Sequence, residues 1–86
     1  MIITTSKKFD KQFKKQPKNI RDEFQVRIDV FADDINSRIL NIHKLSGKLK
    51  DLWSFNVSGD IRVIFDKSKK DYIILVAIGS HSELYQ

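Results

Sequence analysis

The spacing of hydrophobic positions changes along this chain, and each change predicts a different kind of element. Ile2 to Thr5 is a short β-branched run closed by Ser6, which predicts an opening strand. Ser6 suits the N-cap of a helix running to about Gln16, because its hydroxyl can accept a free N–H of the first turn. Phe9 and Phe13, four apart, share one face of that helix, with lysines elsewhere. Pro17 ends it and fits the turn or the first turn of a second helix. Ile20, Phe24, Ile28, Phe31 and Ile35 then recur at spacings of three and four, an amphipathic stripe. The two helices predict an antiparallel hairpin that lays its aromatic stripes on a sheet. Asp33 to Ile42 carries only weak signals, those of a connection with a short helical turn or a first strand edge.

After Gly47 the period falls to two. Trp53, Phe55 and Val57 alternate with Ser54, Asn56 and Ser58, which predicts a half-buried strand with Trp53 in the core. Ser58-Gly59-Asp60 is a tight-turn signal, after which Ile61, Val63 and Phe65 alternate with Arg62, Ile64 and Asp66. Lys67 to Asp71 makes a second, charged turn, and Tyr72 to Ile78 reads as a buried strand ending at Gly79. Turns this short exclude crossover helices, so the three strands form an antiparallel meander. The order β-α-α-β-β-β describes an α+β domain spanning 1–86, with a helical hairpin packed on one face of a small antiparallel sheet.

Composition narrows the function classes. A chain of 86 residues buries only about 60–65% of its unfolded surface, so the core must be dense. Six Phe, one Trp and many Ile, Leu and Val supply it. Without cysteine there is no disulfide scaffold and no thiolate metal site. No apolar run approaches the length of a membrane span and no signal-peptide pattern opens the chain, so a cytoplasmic location is expected. Sixteen Lys plus Arg against eleven Asp plus Glu give a net charge of +5, which favours a nucleic acid or an acidic protein as partner. Lys7, Lys8, Lys11, Lys14, Lys15 and Lys18 fall on predicted helix and suit a solvated face. Lys44, Lys48, Lys50 and Arg62 lie beside the residues that carry candidate chemistry.

Those residues are His43, Asp60 and His81. Histidine exchanges protons near neutral pH, and the last strand ends by presenting His81 between two serines. RNA cleavage by the ribose 2′-hydroxyl needs a base, an acid and positive charge at the phosphorus, and no metal. His81 suits acid or base, Asp60 a base or the group that orients a histidine, and His43 a second proton carrier. Arg62 with Lys44, Lys48 and Lys50 suits the phosphates, Arg62 offering the bidentate fork. Tyr85 suits base stacking or a cap on the sheet's hydrophobic edge. Each residue also has a plainer role: turn chemistry for Asp60, a solvated or ion-paired strand position for Arg62, an inert surface ring for either histidine. The two histidines, thirty-eight apart, lack zinc-site spacing. No serine marks a nucleophile elbow and three glycines form no phosphate loop, so no metal or cofactor is implied.

The segments His43-x-Leu45-x-Gly47, Leu52 to Val57, Gly59-Asp60-x-Arg62-Val63-Ile64-Phe65 and Ile78-Gly79-Ser80-His81-Ser82-Glu83-Leu84-Tyr85 resemble the RelE/ParE toxin superfamily. Its YafQ-like branch of mRNA interferases, from bacterial type II toxin–antitoxin modules, is the most similar. The motifs cover about the C-terminal half of the chain. The resemblance implies a ribosome-dependent endoribonuclease that cuts mRNA and is silenced by a cognate acidic antitoxin. By position it makes His81 the C-terminal catalytic histidine, Asp60 its acidic partner, His43 the histidine before the sheet, Arg62 the strand arginine and Tyr85 the terminal aromatic. Where such toxins tend to carry a further histidine on the first meander strand, this chain has Asn56, which hydrogen-bonds but transfers no proton. Two other classes share the fold: a ParE-like toxin that poisons DNA gyrase, and a catalytically silent antitoxin-binding module. Neither needs a proton-transfer group at position 81.

Overall fold

In the computed structural model, which describes residues 1–85, Ser6 makes the first boundary. Its hydroxyl accepts the Phe9 N–H at 3.0 Å and donates to the Val76 carbonyl at 2.8 Å. One side chain thus caps helix α1 (Lys7–Lys14) and ties the end of strand β1 (Ile2–Thr5) to the last strand. α1 stops at Lys14, short of the expected Gln16, because Lys15 and Gln16 donate to Gln12 and Phe13 in a tighter final turn. Pro17 then stands at the N-cap of α2 (Lys18–Asp33), its carbonyl accepting from Ile20 and Arg21. Ile35, last of the predicted stripe, lies beyond that helix.

The weak segment that follows forms a 3₁₀ turn at Arg38–Leu40 and a two-residue strand β2 (His43–Lys44). β3 (Trp53–Ser58), β4 (Ile61–Lys69) and β5 (Tyr72–Ser80) make the expected meander. β4 and β5 are longer than predicted. The charged turn shrinks to Lys70–Asp71, where Asp71 takes a left-handed backbone that Asp tolerates. The sheet has five strands in the order β1-β5-β4-β3-β2. It is antiparallel except at one edge, where β1 runs parallel to β5. The meander was expected, but this parallel neighbour was not: the helical hairpin after β1 carries the chain back across the sheet, as a parallel pairing requires.

The helices cover one face. Phe9, Phe13 and Phe24 form one aromatic cluster with centroids 5.1–5.8 Å apart, and Phe31, Phe55 and Phe65 a second. Along β5 the alternation breaks, since Ile64 opposes Ala77 while Phe65 opposes Leu75. That bulge lets Ile73, Leu75 and Ile78 all join the core. Trp53 packs against this core but is only half-buried, with the Lys67 ammonium 4.1 Å above its ring. The other face carries Ser54, Asn56, Arg62 and Gly79. A single helical turn, α3 (His81–Leu84), lies against its β5 side, where a side chain on Gly79 would meet Glu83 and Leu84. Among the described residues no helix is long and apolar enough to cross a membrane.

Candidate functional site

His81 is the first residue of α3, one residue past the end of β5. Ser80 caps the turn by accepting the Glu83 N–H, and Glu83 Oε1 accepts the Ser80 N–H at 2.8 Å. This reciprocal capping box is legible in Ser80-His81-Ser82-Glu83, and the sequence reading passed over it. Asp60, in the β3–β4 turn, accepts the backbone N–H of His81 at 3.3 Å. It therefore holds the histidine by its main chain and leaves the ring free. Ile61 pairs with Ser80, and this register brings the two residues together. Tyr85, one turn on, sets its ring edge against His81 with centroids 4.5 Å apart. Tyr85 is half-buried and its hydroxyl wholly so.

The Ser80 backbone N–H, with help from its hydroxyl, holds the Glu83 carboxyl below the usual carboxylate range. A lowered pKa means the cap is fully formed above the ordinary Glu value of about 4.3 and is lost as pH falls through the folded one. Acidification to below the ordinary Glu value of about 4.3 is expected to loosen the turn, seen as lost dispersion of the His81 and Tyr85 NMR signals. Glu83→Gln, whose amide oxygen still accepts the Ser80 N–H, should stay ordered there. Equal loosening in the variant would assign the effect to another carboxylate.

His43 reaches the site from β2, where it opposes Ser54. Its Nδ1 lies 3.0 Å from the Asn41 carbonyl, which can only accept, so Nδ1 carries the proton of the neutral ring. Nε2 is then an acceptor, 3.4 Å from the hydroxyl of the fully buried Ser54. Ser54 was expected only as part of a polar strand face. Arg62 rises from β4 between Asn56 and Gly79, as strand alternation predicts.

His43, Lys44, Arg62, His81 and Tyr85 line one cleft of about 380 Å³, together with Leu45 and Ser46. No carboxylate of the described residues lines it, and the ion pairs formed among them, Lys18–Asp22 and Arg27–Glu23, lie on α2. Lys48 borders an adjoining cleft of about 370 Å³ with Ser46, Leu49, Leu84 and Tyr85. Lys50 lines neither and is exposed. A larger hollow of about 510 Å³ is walled by Trp53, Arg38 and Lys67, and none of the predicted site residues borders it. Asn56 Oδ1, Arg62 Nε and the Tyr85 hydroxyl are buried without a hydrogen-bond partner among the described residues. Groups left so cost roughly 1–3 kcal/mol each, the kind of expense found where a ligand completes the set.

Over residues 1–86 the sequence matches the family described as the bacterial toxin of type II toxin-antitoxin systems, YafQ. The chain belongs to the YafQ family. Solved structures show the same fold. YafQ from E. coli strain BL21(DE3) superposes with a TM-score of 0.83 at 17% identity, over 98% of this chain and 97% of that one. In the E. coli DinJ–YafQ toxin–antitoxin complex the values are 0.79 and 18%, over 98% and 96%. A metal-bound toxin from Helicobacter pylori gives 0.72 at 28% identity, over 99% of both chains. No curated protein sequence matches the chain. This YafQ-family member is thus a toxin of a type II toxin–antitoxin system, with the α+β fold its motifs implied. Among its described residues, no group of three or more His, Cys, Asp or Glu is placed to hold a metal ion.

Proposed function

We propose that this toxin is an endoribonuclease that cleaves mRNA on the ribosome by acid–base catalysis. The observation that carries this reading is the convergence of His43 and His81 on one cationic cleft. In its neutral form His43, with Nδ1–H on the Asn41 carbonyl, offers an unprotonated Nε2, so it suits the base that takes the 2′-hydroxyl proton. The 2′-oxygen bonds to phosphorus as the bond to the 5′-oxygen breaks. His81, exposed and held by its backbone, suits the acid that protonates the leaving 5′-oxygen. The products are a 2′,3′-cyclic phosphate and a 5′-hydroxyl. Arg62 and Lys44 on the cleft wall stabilise the charge gathering on the phosphorane, while Lys48 beside it holds the backbone of the strand. Asp60 positions His81, and Tyr85 offers a ring on which a base can stack. Ribosomal RNA is a second polyanion for the +5 chain, and an acidic antitoxin in the same cytoplasm would neutralise the toxin by covering this cleft.

The test is cleavage of an mRNA by purified toxin with and without ribosomes, with end analysis for the cyclic phosphate. Intact mRNA in both reactions would end the ribonuclease reading. RNA binding gives a finer check. Lys44→Ala and Lys48→Ala are each expected to lower the slope of log K against log salt by about 0.7. Lys50→Ala, outside both clefts, should leave the slope unaltered, and the reverse pattern would move the RNA path off this surface.

A further inference from the structure

Asn56 stands on β3 directly across the ladder from Arg62 on β4, on the face that carries the cleft. Asn56 Oδ1 is a buried acceptor with no partner among the described residues, and Arg62 Nε a buried donor with none there. Residues opposed in an antiparallel pair have Cβ atoms about 4.5–5.5 Å apart. At that spacing the two side chains are long enough for this acceptor to meet this donor, a bond not formed in the structure. Their meeting would satisfy two buried groups at once.

We propose that Asn56 is a positioning residue for Arg62. Its amide oxygen accepts the Arg62 Nε–H and so leaves the two terminal nitrogens of the guanidinium aimed into the cleft. An arginine arm has several free torsions, and one held before binding loses less freedom when it meets a phosphate. The choice of amide also has a reason. An imidazole accepts a hydrogen bond only while neutral, and below its usual pKa of about 6.5 it becomes a cation that repels the guanidinium. Asn56 does not titrate, so it holds the arginine at any pH. The other charged and titratable groups around the arginine are His43 and Lys44 from β2 and His81 and Tyr85 from the C-terminal turn. They are common to every variant at position 56, so differences among those variants report the latch alone. The latch needs no assumption about substrate; only its use in gripping a scissile phosphate rests on the ribonuclease reading.

Nitrogen-15 NMR of the Arg62 Nε–H reads the latch directly, and thermal melting with core amide shifts confirms that each variant is folded. In the wild-type protein the signal is expected to be rigid and slow to exchange with water. Asn56→Leu, similar in size but lacking the acceptor, should make it mobile and fast, and Asn56→Asp should restore it. RNA affinity should fall roughly tenfold or more in the leucine variant, whereas the aspartate variant is judged by the NMR signal alone, because its added charge opposes phosphate. Asn56→His should hold the arm above about pH 7 and release it as the pH drops below about 6, where the wild type is unaffected. An Arg62 Nε–H equally rigid in the wild type and Asn56→Leu would overturn the proposal. A latched arginine in a protein that cuts no RNA would support the latch while refuting the ribonuclease reading.

Discussion

His81→Ala is expected to lower mRNA cleavage by about 10²–10⁴-fold and to abolish growth arrest, with the fold unchanged. On the proposed mechanism, the loss follows from removing the group that protonates the departing 5′-oxygen. The fold should survive for three local reasons. The side chain is exposed, with its ring set against that of Tyr85. The capping box uses Ser80 and Glu83, which remain. The Asp60 bond goes to the position-81 main-chain N–H, which alanine keeps. Inducible expression, a cleavage gel and a melting curve check all three parts together. A variant as toxic as wild type would remove His81 from the mechanism, whatever its place in the cleft.

Phe31→Ala should produce the largest loss of stability. Phe31 has no exposed surface, and its ring sits 5.0 Å from Phe65 and 5.2 Å from Phe55, joining α2 to β3 and β4. Truncating such a ring removes its transfer energy and leaves a cavity, together about 3–5 kcal/mol. A domain of this size has only about 5–15 kcal/mol to lose. Each kcal/mol lowers the melting temperature by about 4–8 °C, so a drop of about 12 °C or more is expected in a thermal scan. β3 and β4 also carry Asn56 and Arg62, so cleavage should fail at a lower temperature as well. A shift of a degree or two would mean that the core refills around position 31.

Most of the architecture could be read from spacing, because each element uses a period that its own residues display. The stripe from Ile20 to Phe31 lies on α2, and the alternation through Trp53–Val57 and Ile61–Phe65 gives β3 and β4. What could not be read were features without a repeating unit. β2 has only two residues, the Arg38–Leu40 turn is one short 3₁₀ segment, and α3 is a single turn. Fully buried Leu40 lies in that irregular stretch, its importance set wholly by what packs around it.

The site divides along the same line. Residue type alone named His43, Arg62 and His81, since few other side chains move protons or grip phosphate near neutral pH. Sequence also settled which strand face holds Arg62, through the period-two alternation with Ile61 and Val63. Only the tertiary structure decided how these groups are arranged. Hydrogen-bond partners far away in sequence determine that the Asp60 carboxylate meets the His81 main chain, and the ladder register sets Asn56 against Arg62. Both depend on strand pairing, which no local pattern encodes. The physical reason is that a period specifies a face, whereas distance and direction between side chains come from the register and bulges of the assembled sheet.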